Sequence, residues 1–357
     1  MGYQNVGTPR FYISRSNYLM ATGQDPVYWA AGIWGGGNGW DDDFMRLILS
    51  MNPSNSHTLL TNQAGSGEVK LNTHFNNTDE WDINYCAILN HNLATKGQAI
   101  NFASTDGTTT AGMTISEEVN WVSGSSSPVL DGFTIVKLGD RYSGNDYYKQ
   151  FQIHLPDYPT SAGTHIGAIS FGRYFDMPHS PDLSLTMSHE YDGIKTIKTK
   201  GGSTLSNANY YKPPKWGELD AWQLKFPVSD SYPNYNPSYH MSGRRTWSLS
   251  FSYISDKNLE PYNHSGYEWL SDTVVTGQAH LPAQDNFFSD VLRYTMGGHL
   301  PFIFCPDPSI VFFDATDGGL PPRVPEFAIC RFDMNSFQRQ QVANNVYNIK
   351  LKIVESW

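Results

Sequence analysis

The sequence predicts a mainly β protein, an N-terminal jelly roll or β-sandwich followed by a second β-sandwich or barrel with one flanking helix. Three observations carry this. Short apolar runs alternate with small polar residues, most cleanly in RRTWSLSFSYI (244–254), where Trp247, Leu249, Phe251 and Tyr253 form one face. Between such runs lie Gly, Pro, Asn, Ser and Asp, the residues that turns demand. Finally, 16% of residues are charged and 14% aromatic, a balance that suits strands and turns and argues against helical bundles or disorder. At 357 residues the chain has length for two domains and ample core.

The elements follow in order. Residues 10–14 are the first strand, and the glycine-rich AGIWGGGNGWDDDFMRLI follows. Four glycines within 35–39 cannot sit inside a regular element, and without a GK[ST] ending they are no phosphate loop. Residues 1–60 therefore read as an N-terminal arm and loops, or as part of the first sandwich. That sandwich spans 61–178, with strands at 85–89, 98–104, 133–138, 148–154 and 165–171. The composition then shifts to Pro and Tyr over 176–240, with a hairpin over 189–199 that has Asp192-Gly193 near its start. The second domain, 179–357, holds the 244–254 strand, a helix over 285–296 and a buried strand over 300–305. In the helix Phe287, Phe288, Val291, Leu292 and Thr295 share one face, Asp285 is the N-cap, and Gly297-Gly298 is the stop. The last thirty residues read as two strands with a polar connection. In the second, Tyr347, Ile349, Leu351 and Ile353 oppose Asn348, Lys350 and Lys352, so the chain ends inside a sheet.

A net charge of −10, with no basic run beyond the three lysines of 195–200, argues against a primary role on nucleic acid. No apolar stretch reaches membrane-spanning length, so no membrane insertion is expected. The first residues lack the charged start and apolar run of a signal peptide, as expected for synthesis in a cytoplasm without export. Cys86, Cys305 and Cys330 are widely spaced, with no CxxC pair; they read as small buried apolar side chains, with no disulfide framework and no metal site.

Catalysis would need a carboxylate pair across a cleft. Glu117 and Glu118 are adjacent and point to opposite faces of a strand, Asp41–Asp43 lack the spacing of a calcium loop, and Glu190 with Asp192 reads as a hairpin edge. No GxSxG or HExxH motif is present. The expectation is a protein without catalytic residues, metal or cofactor. The candidate ligand-binding residues are Asn90, His91 and Asn92, whose amides and imidazole could pair with sugar hydroxyls at a sandwich rim, and Trp34 and Trp40 beside the glycine loop. The competing reading of the triplet is that it satisfies backbone groups where the strand turns. Loop aromatics such as Tyr210, Trp216, Trp222 and Tyr235 would be buried against neighbours in an assembly.

Three segments together resemble tail-tip structural proteins of tailed bacteriophages, the distal tail proteins in particular. CAILNHNL (86–93) is similar to part of their galactose-binding-like jelly roll, and HIGAISFGRYFDMPHSPDLSLTMSHEYDG to its passage into the next domain. GRRTWSLSFSYISD, DVLRYTMGGHLPFIFCPD and the terminal strands resemble their tail-tube-like domain. The resemblance covers most of residues 80–357. It implies a non-enzymatic virion protein, located in the tail and made in the host cytoplasm. Copies would form a ring, often a hexamer, that joins the tail tube to the adhesion apparatus. DNA would pass through its channel without specific binding, and other phage tail proteins or a host surface glycan would be its partners. The alternatives are a carbohydrate-binding adhesin, as a tail fibre or capsid decoration protein, and a polysaccharide-degrading enzyme.

Overall fold

The computed structural model describes residues 6–23, 27–31, 48–51, 57–58, 69–74, 83–105, 110–113, 115–119, 121, 126–129, 131–139, 150–155, 164–190, 194–208, 215–216, 219–220, 244–260, 286–309 and 327–356. The protein is mainly β, with strands β1 to β22 in chain order and little helix. Its largest sheet is antiparallel throughout and has eleven strands. From one edge it runs β13 (Thr186–Glu190), β18 (Arg244–Ser255), β22 (Val346–Glu355), β20 (Ala328–Phe332), β19 (Phe302–Cys305), β1 (Arg10–Ser14), β12 (Ala168–Asp176), β5 (Tyr85–His91), β9 (Gly132–Leu138) and β8 (Ile115–Val119). β21 (Arg339–Ala343) pairs with β22 beside this path. A five-stranded sheet is ordered β2 (Val27–Ala31), β4 (Val69–His74), β10 (Gln150–Leu155), β6 (Asn101–Thr105) and β7 (Thr110–Gly112). Three strand pairs stand apart: β3 (His57–Thr58) with β11 (His165–Ile166), β14 (Ile194–Lys198) with β15 (Thr204–Ala208), and β16 (Lys215–Trp216) with β17 (Leu219–Asp220). Among the described residues the large sheet has two ends, β13 and β8, so it is open and not a closed barrel.

The two sheets form a sandwich through their aromatic residues. Phe102 of β6 and Phe151 of β10 stack with centroids 6.2 Å apart, and Phe151 meets Phe171 of β12 at 5.0 Å. Strand alternation sorts the core into two faces. Phe11, Ile13, Cys86, Ile88 and Phe171 face the larger cluster, whereas Tyr12, Tyr85, Ala87, Phe133 and Ile303 line the other side.

β1 is the joint of the fold. It pairs with β12 along Arg10↔Asp176 to Ser14↔Gly172 and with β19 along Arg10↔Cys305 to Tyr12↔Ile303. All five of its residues are buried, because Phe11-Tyr12-Ile13 is apolar on both faces. The 1–60 segment thus supplies a central strand of the large sheet, which also takes strands from both 61–178 and 179–357. Phe11 lies 5.3–5.9 Å from the rings of Phe287, Phe302, Phe304 and Phe332, which fastens the C-terminal strands to it. Arg10 closes the ladder through a bidentate pair with Asp176 (2.5 and 2.7 Å) while lying 4.3 Å over the Tyr174 ring. At the other end, Ser14 Oγ accepts from the Asn17 N–H and starts helix α1 (Arg15–Ala21).

Four expectations are corrected in detail. The predicted 285–296 helix is a short π-helix, Phe288–Leu292, followed by turns. The Arg293 N–H reaches back five residues to the Phe288 carbonyl (2.9 Å), and this wider winding lets Phe287, Val291, Leu292 and Tyr294 all be buried. Asn286, whose Oδ1 accepts from the Ser289 N–H at 2.8 Å, does the capping; Asp285 lies outside the described residues. Gly297 and Gly298 do end the turn, with φ of 70° and 99°. The hairpin expected over 189–199 is split. Its first part is β13, which joins β18, and the true hairpin pairs β14 with β15 about Gly201-Gly202, where Gly202 has φ 83°. The polar connection of the C-terminal segment is itself β21, turned into β22 at Asn345 with φ 58°. In β18 the alternation breaks at a bulge between Phe251 and Ile254, so Ile254 is buried and Tyr253 is 77% exposed.

Two buried ionic groups hold this arrangement. Asp290 of the π-helix lies 3.6 Å from Arg15 Nη2 and 3.8 Å from Arg173 Nε, tying the helix to α1 and β12. Glu355, 1% exposed near the end of β22, is gripped by Arg245 of β18. The three cysteines are buried thiols.

Candidate functional site

The triplet Asn90, His91 and Asn92 lies where β5 leaves the sheet. β5 does not break at Asn90. It continues to His91 through a bulge opposite β9, with Leu89 facing Phe133 and His91 facing Gly132. Asn90 is the extra residue, with φ 52°, a left-handed conformation that asparagine tolerates better than most side chains. The bulge turns both Asn90 and His91 inward, and each is 0% exposed.

The hydrogen bonds of His91 define its tautomer. The Leu93 N–H donates to Nδ1 at 3.3 Å, so the ring proton sits on Nε2 and is donated to Thr134 Oγ1 at 2.8 Å. Burial pushes the imidazole pKa down to about 3; Asp131 nearby opposes that shift and His165 adds to it. His91 is therefore neutral, and both its nitrogens are engaged within the chain. Asn92 is half-buried, and its Oδ1 accepts from the His165 N–H at 2.9 Å, linking the end of β5 to β11. These contacts serve backbone and hydroxyl groups at the strand end. Asn92 is the one member of the triplet with solvent access.

Asp131, Thr95, Thr134 and His165 complete this polar rim and were not singled out in the sequence. Asp131 Oδ1 accepts from the Thr95 N–H at 2.9 Å and its other oxygen from the Thr95 hydroxyl, so the carboxylate pins the turn after Asn92. The available signal was Asp131-Gly132 directly before the 133–138 strand, which reads simply as a turn.

Trp34 and Trp40, and the carboxylates Asp41–Asp43 and Asp192, lie outside the described residues, as do Tyr210, Trp222 and Tyr235. Glu117 and Glu118 fall at a register shift in β8, and Glu190 is placed opposite Arg244 in the β13–β18 ladder. Among the described residues no group of three or more His, Cys, Asp or Glu side chains could hold a metal ion. The described residues also include no helix long and apolar enough to cross a membrane.

No family model and no curated protein matches the chain. Among solved structures it is similar to a pectin-binding carbohydrate-binding module, at 14% identity and a TM-score of 0.24, over 42% of this chain and 91% of that one. A DUF4466-family protein from Parabacteroides merdae aligns over 85% of this chain and 98% of its own length, at 8% identity and a TM-score of 0.16.

Proposed function

We propose that this chain is a non-enzymatic structural protein of a phage tail tip, which assembles with copies of itself and links the tail tube to the adhesion apparatus. One observation supports the reading best. The separate segments that resemble the tail-tube-like domain come together as adjacent strands, with 244–255, 302–305 and 346–355 forming β18, β19 and β22 around β20. DVLRYTMGG packs on the same core through Val291 and Leu292. The jelly-roll-like segments behave alike, since β5 with its CAILNH pairs directly with β12. Segments that share a resemblance in sequence thus share a surface in space.

The test is the mass of the purified chain in solution, with negative-stain images of the same sample. Closed rings support the reading. A monomer at every concentration refutes it and turns attention to glycan binding. Within the triplet, a glycan contact would then have to run through Asn92, because Asn90 and His91 are buried.

A further inference from the structure

Tyr253 stands in a backbone conformation that its side chain disfavours. Its φ of 61° lies in the left-handed region, and among the described residues it is the only aromatic one there. The bulge of β18 imposes this. With Phe251 opposite Ile349 and Ile254 opposite Tyr347, Ser252 and Tyr253 share the single residue Asn348 across the ladder. The Tyr253 N–H donates to Asn348 Oδ1 at 3.0 Å and holds the strand in that shape. The outcome is a tyrosine 77% exposed on a strand whose Trp247, Leu249, Phe251 and Ile254 are all buried. A ring that only filled space would lie with those four. The bulge re-aims it at solvent, and Gly or Asn would meet the same backbone with less strain.

The surroundings of the ring are polar. Directly opposed residues of a ladder carry their side chains on the same face. Lys350 is opposite Ser250, Lys352 opposite Ser248, and Gln340 of β21 opposite Asn348. Ser248, Gln340, Lys350 and Lys352 are exposed, so this face presents hydroxyls, amides and ammonium groups, with Tyr253 tied to it through Asn348. Lys352 is held by Asp333. Among the described residues no carboxylate pairs with Lys350. A protein partner would want apolar neighbours around an aromatic anchor, whereas Lys and Ser are depleted at such interfaces. A sugar ring has the opposite demand. Its C–H face stacks on an aromatic ring, and the hydroxyls around it need amide, hydroxyl and ammonium partners.

We infer that this face of β18, β22 and β21 binds a glycan, with one sugar ring stacked on Tyr253 and its hydroxyls paired with Gln340, Asn348 and Lys350. The Asn348 oxygen is engaged by the Tyr253 N–H, so its Nδ2 hydrogens are what it offers a sugar oxygen. Lys350 adds three donors. The site lies on strands of the C-terminal half, apart from the strand-end rim at Asn92, and it does not depend on self-assembly.

The test applies the full-length protein to an array of neutral and acidic oligosaccharides. Calorimetry with the most strongly retained one then compares wild type with Tyr253→Asn, Tyr253→Phe and Lys350→Gln. Asparagine tolerates a positive φ, so Tyr253→Asn removes the ring without adding strain and should melt no lower than wild type. Its Kd should be at least about fivefold weaker, while Tyr253→Phe, which keeps the ring, stays within about twofold. Lys350→Gln should fall between them. Wild type that retains no oligosaccharide overturns the site. So does affinity that survives Tyr253→Asn but is lost in Asn92→Ala, which places the sugar at the rim. A Tyr253→Asn protein that keeps its glycan affinity and loses self-association also overturns it, because the ring is then a contact between copies.

Discussion

Replacing Glu355 by Gln should destabilise the protein by about 3–5 kcal/mol, the range for breaking a buried ion pair from one side. Glu355 accepts three hydrogen bonds from one residue: the Arg245 N–H at 3.0 Å, its Nε–H at 3.1 Å and its Nη2–H at 2.9 Å. Nη2 also donates to the Phe327 carbonyl at 2.8 Å, so the guanidinium clasps β18, β22 and the start of β20 together. Gln has nearly the same volume and opens no cavity. Its amide nitrogen, however, must face either the two donors at Oε2 or the one at Oε1, and the guanidinium, 8% exposed with its residue, loses its counter-charge. Set against a total stability of roughly 5–15 kcal/mol, that loss is large. The assay is urea unfolding, with hydrogen exchange at Thr246 and Val354, which face each other in the ladder. The double variant Arg245→Met/Glu355→Met should recover part of the loss. It removes both charges but leaves the residue 245 N–H without its acceptor, a residual cost of ~1–3 kcal/mol. An E355Q protein within about 1 kcal/mol of wild type would refute the assignment of this pair as the clasp.

Three further outcomes follow from the geometry. His91 has its folded-state pKa near 3, below the ordinary 6.5, so protons bind the unfolded chain first. The stability from its neutral burial is complete above pH 6.5 and declines by roughly 1.4 kcal/mol per pH unit as pH falls towards 3; an imidazole that titrates near 6.5 in the folded protein by NMR would contradict this. Gly172→Ala should lower stability by ~1–3 kcal/mol or more in thermal unfolding, because the added Cβ would lie 2.3 Å from the Ile13 carbonyl oxygen and 2.9 Å from the Arg15 nitrogen, both backbone atoms; a melting temperature equal to wild type would count against the β1–β12 packing. Burial raises the Cys86 and Cys330 thiol pKa values, and Cys305 is 0% exposed. A thiol reagent should therefore label none of the three in the native protein and all three in denaturant, and rapid native labelling would be the opposing result.

What the sequence made legible was local. The alternation of Tyr347, Ile349, Leu351 and Ile353 holds in β22, with the last three buried and Lys350 and Lys352 exposed. The first strand, 10–14, is present as read. Errors arose where a single residue changes the period: the bulge after Phe251 moves Tyr253 outward, and the bulge at Asn90 turns the strand's end inward. The 3.6 spacing of Phe287, Val291 and Leu292 was real, but spacing alone does not distinguish α from π winding over so few residues. Least legible was the pairing of distant strands. Nothing within Arg10-Phe11-Tyr12-Ile13-Ser14 says which strands will flank it, because that depends on side chains more than a hundred residues away. The candidate rim shows the same limit. A cluster of Asn and His looks alike whether it faces water or a neighbouring backbone, and only the bulge decides that Asn90 and His91 face inward.

The position of β1 also sets an order of events during synthesis. It leaves the ribosome before any of its partners, yet its Arg10 pairs with Asp176, 166 residues later, and stands opposite Cys305 on its other side. A strand apolar on both faces must therefore wait unpaired until residue 176 of 357 is made, and with one open edge until Cys305. Such long-range closure makes for slow folding and a long interval in which an unpaired apolar strand can join the wrong edge. Fragments that stop before β19 would keep that hazard permanently, leaving β1 with one neighbour at most. Production of this protein in pieces should yield more aggregate than production of the whole chain.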